Sequence, residues 1–313
     1  MRSRAISVLF AGVLAAGCTL TDDRPHVTQK PVARDTAVSK PRVVILVSQS
    51  IAPYTEVATR LKQRLGERAT VYDLQAVQDG SYHAGEEPLQ LVTIGLDATR
   101  ITEHLHHQQV FCQVFNYTGS GLTGPHSKGV SMIPASSKIF EAWKALSPEL
   151  RDVAVISGPG QEALLEPAKK AASRQGITLH TLTVRSDKEY LYIYKQMAKR
   201  VQGYWLIPDN RVLSVEALRD VMNFSVRNGK QVVVFNEELL DLGGLLSASS
   251  SYDDITDKVM RRLEQAEGHN DIPGPELMPL DEALLTINEV MAQRLNISIP
   301  PDYKEYIDAR AQP

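Results

Sequence analysis

The chain is poor in cysteine, because its 313 residues include only Cys18 and Cys112. Cys18 ends an amino-terminal segment with the features of an export signal, and export normally permits disulfides. If Cys18 carries a lipid, however, Cys112 has no partner for a disulfide. Cys112 lies inside the apolar stretch 110–115, which is typical of a strand. We therefore expect a buried, inert thiol at this position rather than a nucleophile.

Charge is not concentrated anywhere in the sequence. There are 34 Lys and Arg residues against 37 Asp and Glu residues, a formal net charge of −3, and no basic run. A protein that binds a phosphate backbone needs a basic stripe, so the composition excludes nucleic acid as a partner. No apolar run is long enough to span a bilayer.

Catalytic and metal-binding motifs are missing as well. The sequence has neither a Gly-x-Ser-x-Gly nucleophile elbow nor a His-Glu-x-x-His run. His104, His106 and His107 do not converge on one helix face, and no carboxylate or cysteine nearby completes a metal set. We predict no catalytic residues, no metal and no cofactor, and hence not an enzyme.

One turn matches a relaxed dinucleotide-binding fingerprint. Gly158-Pro159-Gly160 lies between a strand pattern and a helix pattern, and Asp187 lies about where a ribose-binding acid would be. Glu162, however, would face the pyrophosphate from the first helical turn, which is electrostatically unfavourable. A tight turn between strand and helix is the plainer interpretation.

The amino terminus has the features of an export signal. Arg2 and Arg4 form a positive region, and residues 5–16 form an apolar segment too short to cross a bilayer. The run LAAGC, which ends at Cys18, resembles a bacterial lipoprotein signal, in which the cysteine is acylated and becomes the new amino terminus. The alternative is an ordinary signal peptide that is cut nearby.

These features divide the start of the chain into a signal peptide, residues 1–17, and a lipidated tether, residues 18–40. The tether is rich in Thr, Asp, Lys and Pro and has no hydrophobic periodicity. We expect the mature protein on the periplasmic side of the cell envelope, with the lipid on Cys18 as its only membrane contact.

After residue 40, strand patterns alternate with helix patterns in two series. The β-branched run 43–47 is typical of a strand covered on both faces, and 204–207 is a second short apolar strand. We predict a helix over 97–106, a strand over 109–115, and a loop or broken helix over 75–88. The pattern and the chain length predict an α/β fold with two parallel-sheet lobes.

Several motifs resemble one known family. They are VVILVSQSIAPYTEVATRLKQRL, GVSMIP, DVAVISGPG, WLIPDNRVLSVEAL, VVVFNEELLDLGGLLSASSSYDDI and RLNISIPPDY. Together they resemble the substrate-binding proteins of ABC transporters, in the branch that includes tryptophan- and tyrosine-type binding proteins. The resemblance extends from Pro41 to about Ile307.

The resemblance implies a type I periplasmic-binding fold, in which two Rossmann-like lobes are joined by three crossovers. The first lobe would comprise residues 41–131 plus about 250–282. The second would comprise residues 132–249 plus about 283–313. Such a protein closes on a small ligand by a hinge motion.

Polar turns at the carboxyl ends of the strands are the candidate ligand contacts, since ligands of open α/β sheets bind beyond those ends. We nominate Ser48, Gln49, Ser50, Asn116, Tyr117 and Ser131 in the first lobe, and Asp209, Asn210, Phe235, Asn236 and Tyr252 in or beside the second. Hydroxyls and amides suit a carboxylate, Asp209 suits an ammonium group, and the aromatic rings suit an apolar portion. The alternative for each residue is a helix cap or a turn.

The sequence thus predicts a lipid-anchored solute-binding protein that delivers a small, amino-acid-like molecule to an ABC permease. The alternative is an envelope lipoprotein that uses the same fold for sensing or assembly. Thr19 follows Cys18 at the position where an Asp commonly retains lipoproteins at the inner membrane. An anchor in the outer membrane would favour the alternative.

Overall fold

A computed structural model describes residues 40–79, 89–105, 107–118 and 121–308. The predicted signal peptide, Cys18, and the tether up to residue 39 lie outside the described residues. Within the described part, no helix combines the length and apolar character needed to cross a bilayer.

Strands and helices alternate along most of the described chain. In order, the strands are β1 (Arg42–Val47), β2 (Ala69–Asp73), β3 (Leu89–Ile94), β4 (Gln108–Cys112), β5 (Ser127–Val130), β6 (Asp152–Ser157), β7 (Thr178–Thr183), β8 (Gly203–Trp205), β9 (Gln231–Val234), β10 (Leu246–Ser249), β11 (Leu277–Met278) and β12 (Leu284–Ile287). The α-helices are α1 (Ala52–Leu65), α2 (Leu74–Gln78), α3 (Leu96–Ile101), α4 (Ser136–Leu146), α5 (Glu162–Arg174), α6 (Asp187–Met197), α7 (Val215–Arg227), α8 (Tyr252–Ala266) and α9 (Glu289–Arg294).

The strands form two six-stranded sheets, each of which makes one lobe together with its flanking helices. The first sheet has the order β11-β5-β4-β3-β1-β2 and is parallel throughout. The second has the order β12-β10-β9-β8-β6-β7, and its edge strand β12 is antiparallel to β10. The predicted fold class, α/β with two lobes, is confirmed.

The chain passes between the sheets three times: from β5 to β6, from β10 to α8, and from β11 to β12. Helix α8 returns to the first lobe because Ile255, Val259 and Leu263 join the same core as Val43 and Ile45 of β1. We propose lobe boundaries near residues 131, 250 and 282 on this basis.

Strand β1 illustrates why a continuous apolar run forms a central strand. Val43 and Ile45 face α1 and α8, whereas Val44 and Leu46 face the opposite core with Leu91. Because alternate side chains point to opposite faces, a strand buried on both faces needs apolar residues at every position.

Aromatic side chains pack on both faces of the second-lobe sheet. On one face of its sheet, Trp143 of α4 is fully buried, and its indole Nε1 donates to Gln231 Oε1 at 2.7 Å. On the other face, the rings of Tyr194 and Tyr204 stack with centroids 3.7 Å apart, and the Tyr204 hydroxyl donates to the Tyr194 carbonyl at 2.6 Å. The buried polar tips are thus hydrogen-bonded, which keeps their burial from being costly.

The element boundaries differ from the prediction in several places. Helix α3 ends at Ile101 rather than 106, and β4 ends at Cys112 because Gln113 has a positive φ of 57°. Strand β8 is confined to Gly203–Trp205. The segment 75–88 begins inside the short helix α2, and residues 80–88 lie outside the described part.

Candidate ligand-binding cleft

The loops at the carboxyl ends of the strands bring the two lobes into contact. Asn116, in the loop after β4, donates from Nδ2 to Asn210 Oδ1 at 3.3 Å. Gln161, which precedes α5, donates from Nε2 to Asn116 Oδ1 at 3.2 Å. One amide of the first lobe is therefore bonded to two separate loops of the second lobe.

The same loops approach each other a second time where Gly160 of the second lobe lies near Thr118 of the first. Gly160 has a φ of +84°, a conformation that residues with a side chain rarely adopt, and a Cβ at this position would lie 3.4 Å from the Thr118 Cβ. The turn predicted at Gly158–Gly160 is thus an interlobe contact surface as well as a strand-to-helix connection.

Beside these contacts lies a cavity of ≈600 Å³ with walls from both lobes. Tyr117, Ser131, Glu276 and Leu277 contribute to it from the first lobe, and the start of α4 and one face of α5 contribute from the second. Its volume falls within the range of about 300–1,000 Å³ that is usual for small-molecule sites. Most of its lining is aliphatic or proline, with hydroxyls and two charged side chains among it.

Helix α5 forms one wall of this cavity through Ala163, Pro167, Ala171 and Arg174, which lie on one helix face. Pro167 lies inside the helix, where its nitrogen has no hydrogen to donate to the Ala163 carbonyl. The wall that α5 contributes is therefore mainly apolar, with Arg174 at its end.

Two of the nominated residues line the cavity directly. Tyr117 is only 6% exposed, and burial raises the pKa of its hydroxyl. The Ser131 hydroxyl donates to the Ile133 carbonyl at 3.1 Å, at the start of the first crossover. Together with Asn116 and Asn210, they gather where the lobes meet.

The other nominated residues of the first lobe lie apart from the cavity lining. Ser48 caps α3, because its Oγ accepts the Ala98 N–H at 2.9 Å. Gln49 and Ser50 are exposed, and Ser50 borders a separate hollow of ≈470 Å³ between α1 and β2. Ser48 therefore serves as a helix cap, which is the alternative to a ligand contact at this position.

Phe235, Asn236 and Tyr252 are also engaged structurally. Asn236 accepts the Glu238 N–H at 2.9 Å and caps a short 3-10 turn. Phe235 packs against the second-lobe core, and Tyr252, the first residue of α8, packs against the first-lobe core. None of the three is part of the lining of the ≈600 Å³ cavity.

Asp209 is 1% exposed and is already bonded within its own lobe. Its carboxylate accepts Arg211 Nε at 2.9 Å, Arg211 Nη2 at 2.8 Å and the Gly158 N–H at 2.8 Å. Burial favours a higher pKa for Asp209, but these hydrogen bonds outweigh it and hold the pKa below its ordinary value. The structure therefore differs from the expectation of a carboxylate open to an ammonium group.

The same contact bears on the dinucleotide fingerprint. In such sites the backbone N–H groups of the glycine turn face the phosphates. Here the Gly158 N–H is bonded to a carboxylate, so the observed contact favours the tight-turn interpretation.

The remaining sequence predictions concern Cys112 and metal ligands. Cys112 is fully buried, as predicted, and burial raises the pKa of its thiol to about 12, which supports the expectation of an inert thiol. Across the described ranges, no group of three His, Cys, Asp or Glu residues is placed to hold a metal ion.

Sequence reasoning missed Arg211, Gln161, Arg174 and Glu276. The Asp209–Arg211 pair could have been predicted, because a basic residue follows the loop aspartate by two positions. Glu276 had no such signal, because the pairing of β11 with β5 brings its proline-rich segment to the cavity.

Comparisons with known proteins agree with this architecture. The family model described as "ABC transporter substrate binding protein" matches residues 115–309. No curated protein sequence matches the chain.

Solved structures share the fold at low identity. An ABC domain from Streptococcus pneumonia in complex with L-Trp has 18% identity and a TM-score of 0.60, covering 86% of this chain and 100% of its own. A conserved domain protein from Vibrio cholerae has 19% identity and a TM-score of 0.58, covering 86% and 98%. A ligand-free, open substrate binding protein with adhesive properties from Clostridium difficile has 14% identity and a TM-score of 0.60, also covering 86% and 98%.

The family match spans more than half of the sequence, and the two-lobed fold is that of these structures. The resemblance stated from the sequence motifs is confirmed. This chain belongs to the ABC transporter substrate-binding protein family.

Proposed function

We propose that the protein is an exported, lipid-anchored solute-binding protein that captures a small, amino-acid-like molecule between its lobes for an ABC permease. The observation that carries this proposal is the ≈600 Å³ cavity with walls from both lobes. A molecule held there would contact both lobes at once, so its binding would favour the arrangement in which they approach each other.

The lining supports the choice of solute class. Its aliphatic residues suit an apolar side chain, and Tyr117 adds an aromatic ring. Ser131 supplies a hydroxyl for hydrogen bonding, and Glu276 adds a carboxylate. A compact molecule with one apolar part and one polar end fits these features, and the relative from Streptococcus pneumonia was solved with L-Trp.

A thermal-unfolding screen against small metabolites tests the proposal. A ligand at a hundred times its dissociation constant adds about 2.7 kcal/mol to stability, which is readily measured. Ala163→Trp would fill the cavity and abolish the shift, whereas Lys170→Trp, exposed on the same helix and absent from the lining, would leave it unchanged. A shift that survives Ala163→Trp contradicts this cavity as the site, and a screen without any shift contradicts solute binding.

The anchor and the location are part of the proposal. The LAAGC run before and including Cys18 supports acylation, and family membership supports a place outside the cytoplasm. Changing Cys18 to Ser should release the protein from membranes, and persistent membrane association would contradict the lipid anchor.

A second candidate is an envelope lipoprotein that senses or assembles without import. Thr19 favours it, because the residue after the lipidated cysteine is not the Asp that commonly retains lipoproteins at the inner membrane. Uptake of the solute found in the screen would separate the two. Deletion of the gene should lower uptake if the protein serves a permease and should leave uptake unchanged if it does not.

A further inference from the structure

The pair of Asp209 and Arg211 has one buried and one accessible member. Asp209 is 1% exposed, whereas the Arg211 side chain is 36% exposed. Two parallel hydrogen bonds fix the plane of the guanidinium, and the Gly158 N–H fixes the carboxylate from a third direction. The exposed cation is therefore held in one orientation.

The guanidinium retains unused hydrogen-bond donors. An arginine has five N–H donors, and two of those of Arg211 bond to Asp209. Its side chain has no other hydrogen bond or salt bridge with the described residues. An oriented, accessible cation with three free donors is suited to an anionic oxygen group.

Arg211 belongs to the edge where the lobes meet. It follows Asn210, which is bonded to Asn116 of the first lobe. A Cβ on Gly158 would lie 3.0 Å from the Arg211 Nη2, so the absence of a side chain there leaves room for the guanidinium. Arg211 is not part of the lining of the ≈600 Å³ cavity, but the Gly158 turn that it contacts continues to Ala163 in the cavity wall, so a solute that extends from the cavity along this turn would approach the guanidinium.

We propose that Arg211 determines the charge specificity of the second lobe: it binds an anionic group of the solute, a carboxylate, and by holding Asp209 it prevents recognition of an ammonium group at that position. Asp209 is then a positioning residue that orients Arg211. This inference rests on the proposed function and adds to it which end of the solute the second lobe recognises.

Three matched series of compounds test the inference by calorimetry or thermal shift. They are the standard amino acids, the corresponding acids without the amino group, and the corresponding amines without the carboxylate. Wild-type protein should bind members of the first two series and no amine. Arg211→Gln should weaken binding of the acids by about 10- to 100-fold, as expected for loss of charge-assisted hydrogen bonds.

The same variant makes a converse prediction. Without Arg211, the Asp209 carboxylate loses its cation, so Arg211→Gln should bind amines more tightly than wild type does. Arg211→Lys, which keeps the charge but not the planar fork, should retain the preference for acids at reduced affinity. Arg219→Gln, an exposed arginine on α7 of the same lobe, is the matched control and should change nothing.

The outcomes separate this inference from the proposed function. Equal binding of acids and amines by wild type, or undiminished binding of acids by Arg211→Gln, overturns the inference while solute binding stands. A failure of Arg211→Gln to gain amines overturns the exclusion of ammonium. If none of the series binds but a neutral solute does, the inference is wrong and the solute-binding function remains; if nothing binds, both are wrong. Should Arg211→Gln not fold, Arg211→Lys alone still tests the preference.

Discussion

The Asn116 side chain connects the lobes, and its removal should shift the protein toward an open form. Asn116→Ala deletes the bond to Asn210 at 3.3 Å and the bond from Gln161 at 3.2 Å. Hydrogen bonds between neutral groups contribute about 0.5–1.5 kcal/mol each, and these are long, so we expect about 1–2 kcal/mol in total. That corresponds to a factor of about 5–30 in the ratio of closed to open molecules.

The shift can be measured without a ligand. Dyes on cysteines introduced at Glu67 in the first lobe and Asp220 in the second report the distance between lobes, in a Cys18→Ser background. Cys112 is fully buried and should not be labelled. The distance distribution should broaden toward longer values in Asn116→Ala, with small-angle scattering as an independent check.

A matched control exists on the same lobe as the second dye. Asn223 is exposed on α7 and remote from the cleft, so Asn223→Ala should leave the distribution unchanged. If Asn116→Ala also leaves the distance distribution unchanged, the two hydrogen bonds of Asn116 do not hold the lobes together. A matching loss of affinity for any solute found in the screen is expected, because only the closed fraction contacts it from both sides.

Three further predictions concern stability and reactivity. Trp143→Ala should cost about 3–5 kcal/mol of unfolding free energy in urea, because it removes a fully buried ring that stacks on Phe140 at 6.5 Å. The pKa of Asp209 is held below its ordinary value, so its contribution to the free energy of unfolding is present above about pH 4 and is lost as the pH falls through the folded-state pKa. In urea titrations from pH 7 to pH 3, Asp209→Asn should therefore lose less unfolding free energy than wild type does. Cys112 should react with a thiol reagent at pH 8 only in denaturant, and rapid reaction of the folded protein would contradict its burial.

Much of the fold could be predicted because central parallel strands are recognisable in the sequence as continuous apolar runs. The run 43–47 predicted a strand with two covered faces, and Val43 and Val44 do face opposite cores. The antiparallel orientation of β12 and the existence of the two-residue strand β11 could not be predicted. Short edge strands have no periodicity of their own and form only where another strand is already in place.

The candidate site was less predictable, because strand ends identify loops but not the partners of their side chains. Asn116 and Asn210 were nominated, yet their contact with each other depends on how the two lobes approach. Asp209 was nominated as an acceptor for a ligand, and Arg211, two residues later, occupies it. A polar side chain at a loop end can serve a ligand, a helix cap or a neighbour, and local sequence does not choose among them.

The interlobe contacts differ in how readily a solute could displace them. The amides of Asn116 and Asn210 form a single long bond at an exposed position, so a solute that bonds to both amides can replace it without leaving either one unpaired. The bond between Asp209 and Arg211 is doubled and has a buried carboxylate, and breaking it would leave that charge without its partner. The adaptable side of the cleft is therefore the first-lobe loop at Asn116, whereas the second lobe presents Arg211 in a fixed orientation. A solute that binds here should rearrange the former and leave the latter in place.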